Sequence, residues 1–121
     1  MKQILELVIL GELPKSPNLL LGAPWQVRAG YAKRWLRFIS NALAPNRRLA
    51  PCQKAKVTLT RYGTRKLDSD NLRSSFKCIL DALKKCGVIV DDSPDVIGTP
   101  EVIFEKVPRK ETRIKVRVEE V

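Results

Sequence analysis

Residues 67–95, LDSDNLRSSFKCILDALKKCGVIVDDSPD, decide how this chain is read. Leu72, Phe76, Ile79, Leu80 and Leu83 recur at i, i+4, i+7, i+8 and i+11, which winds them onto one face of an amphipathic helix. At about 100° per residue, Asp70, Ser74, Lys77, Asp81 and Lys84 then fall in one stripe on the opposite side. Gly87 stops the helix, and Lys84 and Lys85 occupy the last turn, where cations suit the helix dipole. One face is core, and the other is a charged row that begins at Asp70.

Asp68 and Asp70 stand where this helix begins. Their plain reading is capping, because a carboxylate there accepts otherwise unpaired N–H groups and meets the positive end of the dipole. Only one residue is needed for a cap. A second acidic cluster gives the pair another reading. VIV at 88–90 has the character of a short buried strand, and Asp91, Asp92 and Asp95 follow it in a Ser-Pro turn. A strand returning along the helix would carry those carboxylates back towards its N-terminus. Spacing leaves both readings open.

LDSDN, then a helix containing LDAL, then a glycine, a short apolar run and DDS, resembles the RusA family of Holliday-junction resolvases, the crossover junction endodeoxyribonucleases. The resemblance implies that Asp68 and Asp70, as the two aspartates of DxDN, and Asp92, as the second of the later pair, bind Mg²⁺. Mn²⁺ is an alternative ion, and Asp91 an alternative ligand. It also implies a lysine on the helix, usually four residues after the second aspartate. Here that place is Ser74, and the segment between DN and DAL is three residues longer. Three residues are nearly one turn, so Lys77, at i+7 from Asp70, shares a face with i+4 and takes the lysine role. A structural alternative is an ion pair between Lys77 and Asp81 at i+4, worth about 0.2–0.5 kcal/mol. ELPKSPN, at 12–18, resembles the family's proline-containing loop, with Asn18 as its asparagine. Asp95, with Asp91, would be an outer carboxylate. The implied activity is metal-dependent endonucleolytic resolution of Holliday junctions or related branched DNA, by paired nicks, in recombination and repair. A four-way junction has approximate two-fold symmetry, so a homodimer is expected.

Composition points the same way. The chain has 121 residues, 44% of them hydrophobic, which suits one core and a single domain over 1–121. No run of 18 apolar residues exists, and MKQILELVILGEL is strand-like with a polar break, so no membrane segment or signal peptide is expected. Cys52, Cys78 and Cys86 are odd in number and lack CxxC spacing, which argues for reduced thiols and a cytoplasmic protein. Histidine is absent. That removes Ser-His-Asp and Cys-His catalysis and every histidine metal site, leaving carboxylates with a hard cation such as Mg²⁺ or Mn²⁺, or a perturbed lysine.

Lys and Arg number 23 against 13 Asp and Glu, a net charge of +10 that favours a polyanionic partner. Residues 13–67 hold twelve of the basic residues and no acid, whereas eleven of the thirteen acids fall at or after Asp68. A basic surface thus adjoins an acidic site. Candidate DNA contacts are Lys15, Asn18 and Arg28 around the proline loop, and Lys33, Arg34 and Arg37 on the exposed side of the next helix. Arg65 and Lys66, beside Asp68, and Arg73 complete the set. Exposed cations on a helix are otherwise simply solvated. A non-catalytic basic DNA-binding protein is the alternative function. A PD-(D/E)xK nuclease would need an ExK after Pro94-Asp95, but Glu101 is followed by Val102 and Ile103. A family member that has lost activity is a third possibility, because of Ser74.

The remaining elements follow from periodicity. Residues 3–10 read as a buried strand, 27–43 as a helix ended by Pro45, 46–51 as a basic turn, and 54–62 as a strand with Val57 and Leu59 inward. Ala32, Trp35, Leu36, Ile39 and Leu43 face the core from the helix, and Trp25 is assigned to core or interface packing. Residues 101–107 and 112–121 alternate with period two and read as a terminal hairpin around 108–110, with Ile114, Val116 and Val118 on one face. The pattern predicts a two-layer α+β domain, RusA-like, with two helices on one face of a mixed sheet.

Overall fold

A computed structural model describes residues 2–15, 22–44 and 51–121, so Asn18 and most of the basic turn at 46–51 lie outside it. Strand β1 (Lys2–Leu10) is followed by helix α1 (Trp25–Leu43), strand β2 (Ala55–Gly63), helices α2 (Ser69–Ser75), α3 (Lys77–Lys85) and α4 (Pro94–Ile97), and strands β3 (Glu101–Lys106) and β4 (Arg113–Glu120). The strand order is β1-β4-β2-β3. β4 runs antiparallel to both β1 and β2, and β2 runs parallel to β3. β1, β2 and β3 therefore point the same way. The crossovers α1 and α2–α3 both run against them, and hence run in the same direction as each other. As a result, the loop after β1, the start of α1 and the DSDN segment after β2 all lie at the carboxyl ends of the parallel strands.

Period-two alternation decides which sheet face is covered. Leu5, Leu7 and Ile9 of β1, Val57 and Leu59 of β2, and Ile114, Val116 and Val118 of β4 are buried together with Trp35, Ile39 and Leu43 of α1 and with Phe76, Ile79, Ala82 and Leu83. The other face carries Glu6, Lys56, Thr58, Tyr62, Lys115 and Arg117. This is the predicted two-layer α+β fold with a mixed sheet and its helices on one face. No helix among the described residues is long and apolar enough to cross a membrane.

Five details differ from expectation. The single helix expected after Asp70 is two helices that meet at Phe76, where ψ is −3°. Ser75 turns its hydroxyl onto the Leu72 carbonyl at 2.7 Å, and the Phe76 N–H bonds Arg73 O at 3.2 Å, a tighter i−3 closure that bends the helix while burying the ring. The terminal hairpin does not form: β2 lies between β3 and β4, and a 3₁₀ turn at Arg109–Glu111 carries the chain across. Alternation fixes a strand's inward face but says nothing about its neighbour. VIV at 88–90 makes only one bridge, Ile89 to Cys52, instead of a strand. The Ser-Pro turn opens into α4. Trp25 is 67% exposed along with the rest of the first turn of α1, so it does not pack in the core, and Ala32 is exposed as well.

Candidate active site

Asp68 is extended (φ −64°, ψ 163°) as the N-cap of α2. Its Oδ1 accepts from the Asn71 backbone N–H at 2.8 Å and its Oδ2 from Asn71 Nδ2 at 2.8 Å, so the asparagine of DSDN grips both oxygens. The capping reading is thus realised at one of the two aspartates. Asp70 lies in the first turn, exposed, where the helix dipole favours a carboxylate. Among the described residues it has neither hydrogen bond nor ion pair.

The two roles of Asp68 separate by substitution. Asparagine caps as well as aspartate, so Asp68→Asn is expected to leave the urea midpoint nearly unchanged, whereas Asp68→Ala costs about 1 kcal/mol. Equal losses in the two variants would mean that charge at this position stabilises the fold more than the cap does.

The later acids arrive by a turn at Gly87 (φ +78°), a conformation that side chains resist. Cys52 donates its N–H to Val88 O at 2.9 Å, and Val90 donates to Cys52 O at 3.1 Å, which holds 88–90 against the approach to β2. The chain then returns along α3. Lys84 Nζ sits 2.9 Å from Asp91 Oδ1, and this contact holds the Asp91 carboxyl below the usual range and raises Lys84. Asp92 turns to Asp81 instead. Burial raises the Asp81 carboxyl, and a hydrogen bond and charge repulsion from Asp92 raise it further, while Lys77 acts the other way.

The predicted residues are therefore distributed as follows. The structure brings Asp92 and Lys77 to Asp81 of α3, ties Asp91 to Lys84, and joins Asp68 to Asn71 with Asp70 beside it. Among the described residues no group of three or more acidic or cysteine side chains is arranged to hold a metal ion. Asp81, outside the candidates named from the sequence, stands against both Asp92 and Lys77. Its signal was present, since it is the aspartate of LDAL and lies at i+4 from Lys77.

The carboxylates divide by partner. Glu6, Glu12, Asp91, Glu101 and Glu119 pair with Lys115, Arg34, Lys84, Lys56 and Arg117. Among the described residues, Asp68, Asp70 and Asp92 pair with no cation. Unneutralised carboxylate oxygens in so basic a chain suit a hard divalent cation in kind.

The basic candidates differ in what they touch. Lys15, Arg28, Lys33, Arg37, Arg65 and Lys66 are exposed. Arg34 is engaged by Glu12 and lies 5.4 Å from the centre of the Phe38 ring. Arg73 donates to Pro100 O at 3.0 Å, tying α2 to the entry of β3.

A comparison with curated proteins finds no match. The family profile described as Endodeoxyribonuclease RusA matches residues 32–119, from the second turn of α1 to the end of β4, taking in DSDN, LDAL and DDS. With nearly three-quarters of the 121 residues matched, the chain belongs to the RusA endodeoxyribonuclease family.

Proposed function

We propose that the protein is a Mg²⁺-dependent endodeoxyribonuclease that resolves Holliday junctions or closely related branched DNA by paired nicks, acting in recombination and repair as a homodimer. The observation that carries this reading is that Asp70 and Asp92, which have no ion-pair partner among the described residues, belong to the family's two acidic motifs beside a one-signed basic stretch. Asp68, Asp70 and Asp92 would hold the ion, with Mn²⁺ able to replace Mg²⁺. Bound there, the cation would supply a more acidic water and neutralise charge on the scissile phosphate.

The chain's own groups do the rest. Asp92 is preferred to Asp91 as the third ligand because Lys84 occupies Asp91. Lys77, one turn before Asp81 on α3, offers its ammonium to a phosphate oxygen, where charge develops during cleavage. Arg65 and Lys66 bind the backbone next to the cut, and the exposed cations of α1 extend the contact along an arm. Cytoplasmic location follows from the same reading. A non-catalytic DNA-binding protein is the second reading, favoured by the commitment of Asp68 to its cap.

Cleavage of a synthetic four-way junction, with a linear duplex as control, tests the proposal. Paired nicks that require Mg²⁺, stop with a chelator and spare the duplex are expected. Tight junction binding with no cutting under Mg²⁺ or Mn²⁺ would leave the non-catalytic reading, and equal cutting of both substrates would remove the preference for branches.

A further inference from the structure

The loop leaving β1 is docked residue by residue. Gly11 donates its N–H to Thr112 O at 2.9 Å, and Glu12 pairs with Arg34 of α1. Leu13 rests on Gly63 at the end of β2, where a Cβ would stand only 3.3 Å from Leu13 Cδ1. Pro14 O accepts from Arg61 Nη1 at 2.7 Å, and the Lys15 N–H donates to Tyr31 Oη. No element of regular structure holds this segment, so its backbone groups depend on these side chains.

Arg61 is the unusual member. By alternation it falls on the covered side of β2 after Val57 and Leu59, opposite Ile114 of β4 and Phe104 of β3. An apolar residue would suit that row. The guanidinium is half-buried, forms no ion pair among the described residues, and has a buried Nε with no partner. Burial lowers its pKa from the ordinary value. Its one hydrogen bond among the described residues reaches the Pro14 carbonyl. A leucine there could not make that bond.

Tyr31 extends the hold to a third element. Its hydroxyl lies 4.0 Å from Cys78 Sγ on α3, next in sequence to Lys77. Burial pushes the phenol up to about 12 and the thiol to about 11, so both stay protonated at neutral pH and keep their hydrogen-bonding roles. Lys15, exposed, is thereby anchored by its backbone beside the start of α3.

We infer that Arg61 and Tyr31 are positioning residues, which hold the Pro14–Lys15 backbone and so fix where the Lys15 side chain meets a DNA phosphate. The DNA half of this inference rests on the nuclease reading; the docking half does not.

Two measurements test it. In amide hydrogen exchange by NMR, Tyr31→Phe and Arg61→Gln are expected to lower the protection of the Lys15 amide at least tenfold, and Lys15→Ala is not. In junction-binding titrations without divalent metal, each of the three substitutions is expected to weaken affinity by roughly threefold to tenfold. Adding Tyr31→Phe or Arg61→Gln to Lys15→Ala should then cost nothing further, because the residues act through one contact. Arg61→Lys, which can still reach the carbonyl with one donor, should recover part of both signals. Additive binding losses with an unchanged Lys15 amide would reduce Arg61 and Tyr31 to stabilisers of the fold and overturn the inference. Tyr31→Phe keeps the ring in place, so that outcome can be read even where Arg61→Gln unfolds. A wild-type chain that does not bind the junction would overturn the Lys15–phosphate half together with the nuclease reading, while the exchange result would still decide the docking.

Discussion

Asp70→Asn is expected to lower Mg²⁺-dependent cleavage of a four-way junction by about 1,000-fold while leaving junction affinity equal or tighter. The side chain is exposed in the first turn of α2 and has no hydrogen bond or ion pair among the described residues, so little structure depends on it. Asparagine has nearly the same shape. Its loss of charge at a helix start costs about 0.3–1 kcal/mol of stability, too little to unfold a domain. DNA affinity comes from cations on the surface, and removing a negative charge that faces phosphate relieves repulsion. Cleavage depends on the charge itself if Asp70 is a metal ligand. Single-turnover cleavage beside binding in a chelator separates the two effects. A variant that cuts within tenfold of wild type would remove Asp70 from the metal site.

What the sequence disclosed follows from what each pattern physically reports. Period two in 112–121 told which residues face the helices, and Ile114, Val116 and Val118 are indeed buried. It could not tell that β4 joins β1 to β2, because pairing is settled by crossovers far along the chain. The same alternation placed Arg61 inward with Val57 and Leu59. Alternation does not report the hydrogen bond from Arg61 to the loop, because its partner, the Pro14 carbonyl, lies 47 residues away in the chain. Helical periodicity found Leu72, Phe76, Ile79 and Leu83, but the bend between α2 and α3 depends on a Ser75 hydroxyl turning back and on a ring finding the core. Asp91 and Asp92 are neighbours in sequence with nearly equal claims. Only the turn at Gly87 brings Lys84 to one and Asp81 to the other. The exposure of Trp25 was equally unreadable, since a first helical turn has the same composition whether it packs or stands exposed.

The bend itself is open to test, and Phe76→Ala is expected to cost about 3–5 kcal/mol. Phe76 is fully buried and serves both as the end of α2 and as the start of α3, so its ring packs in the core at the point where the chain changes direction. Truncation removes buried apolar area and leaves a cavity beneath the sheet-covering helices. Alanine is also the best helix former, and without a ring to bury, the i−4 ladder gains by running straight through. A straightened helix would rotate Asp68 and Asp70 relative to Lys77 and Asp81, because those pairs lie on opposite sides of the bend. Cleavage is therefore expected to fall further than the folded fraction does. Phe76→Leu, which keeps a large apolar group, should cost roughly 1–1.5 kcal/mol and spare most of the activity. Urea unfolding of the metal-free protein, read together with junction cleavage under conditions where each variant stays folded, distinguishes the two effects. A Phe76→Ala protein that loses less than about 1 kcal/mol would show that burial of this ring does not fix the bend. The placement of the DSDN carboxylates relative to α3 would then have to come from Ser75 and the Arg73 contact to Pro100.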